Sequence, residues 1–225
     1  MTLRHRSDQP EFMDTDCVDY EDYRRCLRDL SRVNIVTMTH RPMLAWLAKR
    51  AVGEFSVLDI ACGYGDALRK IRKRFPAARL TGIDLNPWAI RAAQAATDQS
   101  ANIAFIHGDA FAYQPAQKFD FIITSQFTHH LTDEQVVAFL RWLQANAGIG
   151  WFIGDLHRHA FPYYGFPLLA RAMLWHRFVR IDGRISITRA FVRAEWRALL
   201  HQAGLSETQA SITWHMPFRL CVASR

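Results

Sequence analysis

Between residues 55 and 155, short apolar runs alternate with segments whose apolar positions recur every three or four residues. The runs predict strands at Ser56–Ala61, Leu80–Asp84, Ile103–His107, Phe119–Thr124 and Gly150–Asp155. The segments between them predict helices near Asp66–Phe75, Pro87–Ala96 and Asp133–Asn146. Such repetition implies a parallel sheet, because parallel neighbours need a crossover and cannot be joined by a tight turn. Residues 14–50 read as helical, with Leu27, Leu30, Val33, Val36, Met38, Leu44 and Leu47 near helical spacing and Pro42 starting a second helix. After residue 156 come an aromatic stretch (Phe161, Tyr163, Tyr164, Phe166), a helix and a turn at Asp182–Gly183. A helix at Arg193–Ala203 with a Gly204 cap follows, then two strand-like runs, Leu205–Thr213 and Phe218–Ala223. This last pair is expected as an antiparallel hairpin at one sheet edge.

Half of the residues are apolar, enough for a substantial core, and the 225 residues suit one domain. Only the polar first dozen, with Pro10, predict disorder. The net charge of +7 raises the question of a nucleic-acid partner. The one dense basic run, Arg69 to Arg74, falls on a predicted helix and reads as a solvated face, which makes nucleic acid a weak candidate. Cys17, Cys26, Cys62 and Cys221 form neither a CxxC pair nor a metal-ligand spacing, so no metal is expected. They fit a reduced, cytoplasmic setting. Neither a signal-peptide pattern nor an 18-residue apolar window is present.

The chemistry concentrates after the first strand, in Asp59-Ile60-Ala61-Cys62-Gly63-Tyr64-Gly65-Asp66. A strand-to-helix turn that passes close under a ligand needs residues with little or no side chain, which Ala61, Gly63 and Gly65 supply. The helix that follows offers free backbone N–H groups. Asp84, ending the second strand, is placed to accept hydrogen bonds from a ribose. A dinucleotide loop would carry a third glycine where Leu68 stands. Asp59 beside the loop also opposes a pyrophosphate and suits a cofactor with an amino-acid tail. A dinucleotide oxidoreductase is therefore a distant alternative, and NADH would stabilise it.

Together these motifs resemble those of the class I S-adenosylmethionine-dependent methyltransferases over about residues 55–155. Asp59 to Gly65 is similar to their glycine-rich first motif, with Ala61 where the commonest version has glycine. Asp84 matches their second-strand acid, Gly108-Asp109-Ala110 their third motif, and Phe119 to Ser125, continuing to His129-His130-Leu131, their fourth strand. The resemblance implies an α/β, Rossmann-like fold with a mostly parallel seven-stranded sheet, helices on both faces, an antiparallel C-terminal edge strand and added N-terminal helices. Within one domain, 1–225, residues 14–50 would form a helical cap and 55–155 the cofactor-binding core. Residues 156–225 would supply a substrate-side insertion and the C-terminal strands. It further implies S-adenosylmethionine held by Asp59, Ala61, Gly63 and Gly65 at its methionine end. Asp84 and Leu85 would take the ribose and adenine, Asp109 and Ala110 the adenine, with Ser125 a further cofactor contact.

Methyl transfer from a sulfonium mainly requires that the acceptor be positioned, and a hydroxyl acceptor also benefits from a base. His129, His130 and His157 follow strand ends, where ligands of open α/β sheets bind, and are the candidate bases. Asp155 could orient one imidazole. The aromatic stretch from Phe161 to Phe166 with the helix through Trp175 suggests an apolar or aromatic small-molecule acceptor. Asn34, His40 and Arg41 could close over it. Asp155-Leu156-His157-Arg158-His159, the Tyr163-Tyr164-Gly165 that follows and Arg189-Ala190-Phe191 are similar to a bacterial subgroup that accompanies type III polyketide synthases. That likeness implies O-methylation of a polyketide-derived phenol. The alternatives are an RNA or protein methyltransferase and a non-catalytic binding module. Amino methylation of nucleic acid is opposed by Ser125-Gln126-Phe127-Thr128, which stands where an Asn/Asp-Pro-Pro-aromatic motif would.

Overall fold

The computed structural model describes residues 3–16 and 19–225, so Cys17 lies outside the described residues. The chain runs α1 (Phe12–Thr15), α2 (Tyr20–Val36), α3 (Arg41–Ala48), β1 (Ser56–Ile60), α4 (Asp66–Arg74), β2 (Arg79–Asp84) and α5 (Pro87–Ala95). It continues through β3 (Ile103–His107), β4 (Phe119–Ser125), a short 3-10 turn at Thr128–His130, α6 (Asp133–Asn146) and β5 (Ala147–Leu156). Last come α7 (Ala160–Ala172), α8 (Arg177–Arg189), α9 (Arg193–Gln202), β6 (Ala210–His215) and β7 (Arg219–Ser224).

The seven strands form one sheet in the order β3-β2-β1-β4-β5-β7-β6. The first five are parallel, and β7 joins β5 antiparallel with β6 outside it. This is the expected Rossmann-like sheet, with its edge made antiparallel by the C-terminal hairpin. Successive residues of the central strands alternate between two apolar layers, as their period of two demands. Leu58, Ile60 and Ile122 pack with Phe139, Trp151 and Trp196 on one face. Val57, Phe121 and Ile123 pack with Trp46, Leu68 and Phe152 on the other. Local signals set the helix starts: Asn86 caps α5, Thr132 and Gln135 form a capping box on α6, and Pro42 opens α3.

Three expectations fail for physical reasons. Asp182 and Gly183 do not turn but lie inside α8. Asp182 is buried and accepts from the backbone amides of Phe12 and Met13, so the side chain caps α1. A Cβ on Gly183 would meet the Phe166 ring at 2.0 Å, so this glycine lets α7 and α8 touch. The aromatic stretch does not precede a helix but starts one, α7. Residues 3–11 are fixed on the body rather than disordered. Ser7 N–H donates to the Thr188 carbonyl at 3.0 Å, and Arg6 donates to the Arg189 and Leu131 carbonyls at 2.8 Å each. The last hairpin is also shorter than expected, since Leu205–Gln209 stays outside β6.

Among the described residues no helix is long and apolar enough to cross a membrane. The net effect of the topology is to bring the carboxyl ends of β1, β2, β4 and β5 to one side. There α1, α2, α7 and α8 lie over them, and the candidate site sits between.

Candidate active site

The loop after β1 takes a path few residues tolerate. Ala61, Gly63 and Gly65 all have positive φ, at 55°, 51° and 71°. A Cβ at Gly65 would come within 2.9 Å of the Phe105 ring, so glycine is needed there for conformation and for space. Ala61 bears the strain of a left-handed conformation, which explains why glycine suits this place in similar loops. Asp84 holds the loop down: one carboxylate oxygen accepts from Gly63 N–H at 2.8 Å and the other from Asn86 N–H at 2.9 Å.

Above the loop opens a cavity of about 1020 Å³. Asp59, Ala61, Gly63, Asp84, Leu85, Asp109, Ala110 and Ser125 all line it, while Gly65 lies just beneath. Burial, together with the neighbouring Asp66 and Asp84, pushes the Asp59 carboxyl well up. Such a cluster favours a cationic group, and a cavity of this size above a glycine loop admits a nucleoside with an amino-acid tail. The residues present therefore fit S-adenosylmethionine. Asp66 differs from Asp59, since burial opposes its charge but His40 at 2.8 Å and Asn34 at 3.2 Å outweigh it and hold it down to about 2. Asn34 and His40 line the cavity, whereas Arg41, expected beside them, is exposed and lines neither cavity.

A second, apolar chamber of about 380 Å³ lies between α2, α7 and α8 and is lined by Val33, Leu156, Phe161, Phe166, Leu169 and Val179 among others. The two cavities share Glu11, Met13, Leu30, Gln126 and Ser186. Gln126, itself at positive φ, spans this junction. Its amide donates to Asn34 at 2.6 Å and accepts from Arg219 at 3.0 Å. Arg219 is buried, donates also to the hydroxyls of Thr37 and Thr39, and is pushed down to about 10 by that burial.

The histidines separate into different states. His129 is fully enclosed. Its Nδ1 lies 2.7 Å from Asp155, its backbone N–H donates to the same carboxylate at 2.9 Å, and Thr128 donates to it as well. Its Nε2 faces Glu11 at 3.4 Å. Burial opposes the charge, but the two carboxylates outweigh it and raise His129 to about 9. In that state neither ring nitrogen has a lone pair to take a proton. Glu11 is lowered to about 2, because His129 and His130 outweigh its burial, and it accepts from Ser186 at 2.7 Å. His130 lines the large cavity, with Nε2 3.9 Å from Glu11. His157 lines the apolar chamber instead, is lowered by burial and by His159, and has a buried Nδ1 without a partner.

Glu11, His129 and His130 bring donor atoms within 4.8 Å of one another and could hold a metal ion. Without one, the same atoms close as a salt-bridge cluster. Glu11, Gln126 and Arg219 were not singled out from sequence, since nothing local marks them and only the fold brings them together.

The model of one protein family, described as a methyltransferase domain, matches residues 57–147. Residues 57–147 are thus similar to a methyltransferase domain. The match covers the sheet from β1 to the start of β5 and both ends of the glycine loop. Malonyl-[acyl-carrier protein] O-methyltransferase 1 of Ilyobacter polytropus is 33% identical over 86 residues, 38% of this chain and 32% of that protein. Trans-aconitate 2-methyltransferase of Escherichia coli O1:K1 / APEC is 33% identical over 94 residues, 41% of this chain and 36% of that protein. The chain thus spans about a third of the length of the curated relatives it matches. Among solved structures, the plantazolicin methyltransferase BpumL in complex with SAH aligns over 95% of this chain and 92% of its own, with a TM-score of 0.63 and 18% identity. Magnesium protoporphyrin IX methyltransferase from Synechocystis PCC 6803 with bound SAM aligns over the same shares, 95% and 92%, with 0.62 and 17%. The chain therefore has the Rossmann-like fold of these methyltransferases.

Proposed function

We propose that the protein transfers a methyl group to a small apolar or phenolic acceptor, methylating oxygen, with a polyketide-derived phenol such as an alkylresorcinol as the favoured case. The observation that carries this reading is the junction of two unlike cavities, one rimmed by carboxylates above the glycine loop and one apolar. S-adenosylmethionine, when bound, supplies a methyl group on a sulfonium that is already activated toward a nucleophile. Asp59 and the loop from Ala61 to Gly65 hold its methionine end, Asp84 and Leu85 its ribose, and Asp109 and Ala110 its adenine, with Ser125 closing the cavity. The apolar chamber takes the acceptor's carbon skeleton and excludes water from the junction. His130, on the cavity wall beside Glu11, accepts the acceptor's hydroxyl proton. His129 keeps its proton and orients Glu11, which makes it a positioning residue. His157, uncharged in the chamber, reads the acceptor's far end.

A mass-spectrometric assay with S-adenosylmethionine and a panel of alkylresorcinols, simple phenols, quinols, fatty acids and bulk RNA tests the reading. The expected product is a phenol heavier by one methylene, with His130→Ala lowering kcat about a hundredfold. His157→Ala raises KM instead. Methylation of RNA alone would overturn the proposal. A second reading has one observation behind it: Arg219 lines the chamber, and its side-chain hydrogen bonds among the described residues go only to the neutral Gln126, Thr37 and Thr39, while the Asp155 carboxylate acts on it without forming an ion pair. A buried guanidinium so placed suits a carboxylate acceptor, and the fatty acids in the panel separate the two.

A further inference from the structure

We propose that the outer face of α7 and α8 is a docking surface for an anionic lipid bilayer. On α7, Phe161, Tyr164 and Leu168 fall at i, i+3 and i+7 and are 69%, 65% and 72% exposed. Met173 and Leu174 extend this apolar row into the next turn, with Leu174 84% exposed. A row of this length is more than the scattered apolar residues of an ordinary surface and marks contact with something apolar. The adjoining side of the same helix, through Pro162, Gly165, Phe166 and Leu169, lines the apolar chamber, and Phe161 belongs to both. The exposed row therefore borders a cavity that an amphiphile would enter from a bilayer.

The charge around the row selects the partner. The outward positions of α8 are Arg177, Arg180, Ile181 and Arg184, at i, i+3, i+4 and i+7. Arg184 lies 4.6 Å over the Tyr163 ring, which meets Tyr164 at 5.0 Å, so the basic row runs beside the apolar one. Arg171 adds a further exposed cation on α7. From Leu156 to Thr188 the only carboxylate is Asp182, which is buried under α1. From outside this stretch Asp22 reaches Arg177 at 3.4 Å, while Arg171, Arg180 and Arg184 take no salt bridge among the described residues. An apolar row beside uncompensated arginines fits a surface with an apolar interior and anionic phosphates, reached by long side chains that bury their stems. A second copy of the chain fits poorly, since a symmetric contact would set one arginine row against the other. With no spanning helix among the described residues, the face would lie on the bilayer rather than cross it.

The proposal does not depend on which acceptor is methylated, so it is tested without activity. The full chain would be sedimented with sucrose-loaded vesicles of phosphatidylcholine alone and of phosphatidylcholine mixed with phosphatidylglycerol. Binding is expected to the anionic vesicles and to weaken with added salt. Replacing Arg171→Gln with Arg180→Gln should cut it about fivefold per arginine. Leu168→Gln with Leu174→Gln should cut it at least about tenfold. None of these four residues lines either cavity, so circular dichroism and S-adenosylhomocysteine affinity serve as controls that the variants fold. Absence of vesicle binding, or binding that both double variants leave intact, would overturn the proposal. So would a concentration-dependent dimer, in ultracentrifugation of vesicle-free protein, that the leucine variant abolishes.

Discussion

The two cavities that meet at Glu11 and Gln126 are built by opposite rules. The one above the glycine loop is bounded by backbone under constraint and by carboxylates, and its parts come from adjacent strand ends. The apolar chamber is bounded mostly by apolar side chains from α2, α7 and α8, with Arg219 at the start of β7. The first site constrains which residues can occupy each position, because positive φ and a Cβ-free approach admit few. The second constrains volume and polarity, which many residues satisfy. Their separation predicts that the two can be damaged independently, except at the histidine cluster that joins them.

The largest effect should come from that joint. His129→Ala leaves Asp155 buried without its cationic partner, which typically costs about 3 kcal/mol or more. Urea denaturation should show this as a lower midpoint with an unchanged slope. The same cluster sets a pH signature. His129 is raised to about 9 from about 6.5, so its stabilisation is fully present below about pH 6.5 and is lost as pH climbs through 9. Glu11 is lowered to about 2, so its share is present above about pH 4.5 and is lost as pH falls through 2. The alkaline loss should vanish in His129→Ala. If wild-type stability is flat between pH 7 and about 10, His129 is not held charged.

Asp84→Ala acts on the loop side only. It removes the acceptor that pins Gly63 N–H at 2.8 Å and the proposed ribose ligand together. Calorimetry with S-adenosylhomocysteine should show about a hundredfold weaker binding, from two charge-assisted hydrogen bonds. Acceptor binding should be spared, and equal loss on both would mean that the cavities are not separable.

This contrast also explains what could be read in advance. β1, the glycine loop, Asp84 and α6 are local: a strand end, a turn and a cap each leave a mark within a few residues. So the strands and helices between Ser56 and Leu156 lie within a few residues of expectation, and Ile103–His107 and Asp133–Asn146 coincide with it. The acceptor side is set by contacts across the chain. Arg219 reaches the junction only because β7 pairs with β5 in a register that puts it opposite Leu156. Asp182 looked like a turn residue because its partners, the amides of Phe12 and Met13, are about 170 positions away. Glu11 sat in a segment whose polarity suggested disorder. Histidines, finally, do not announce their charge: His129, His130 and His157 differ only in what the fold places beside them.

A milder test of the loop side uses pH. The Asp59 carboxyl is pushed up by burial and by Asp66 and Asp84, so under the proposed assignment it must lose a proton before it can pair with the ammonium of S-adenosylhomocysteine. Affinity for S-adenosylhomocysteine should therefore fall as pH drops, by up to about tenfold per unit below the Asp59 pKa. Asp59→Asn should bind more weakly at neutral pH and lose this slope. A slope that persists in the variant would assign it to another group.

The smallest effect should come from the chamber. Leu169 lines it from α7 and does not line the large cavity. Leu169→Trp would fill part of its 380 Å³ without adding charge. Steric loss of a few methylenes' worth of space corresponds to about 1–2 kcal/mol, a KM raised roughly tenfold for a long-chain phenol. A phenol without a chain needs only the junction and should be methylated at its former rate, with cofactor affinity unchanged. If the variant instead slows both phenols equally, the chamber does not hold the acceptor's skeleton. The tail would then leave through the large cavity beside Tyr23 and Leu27.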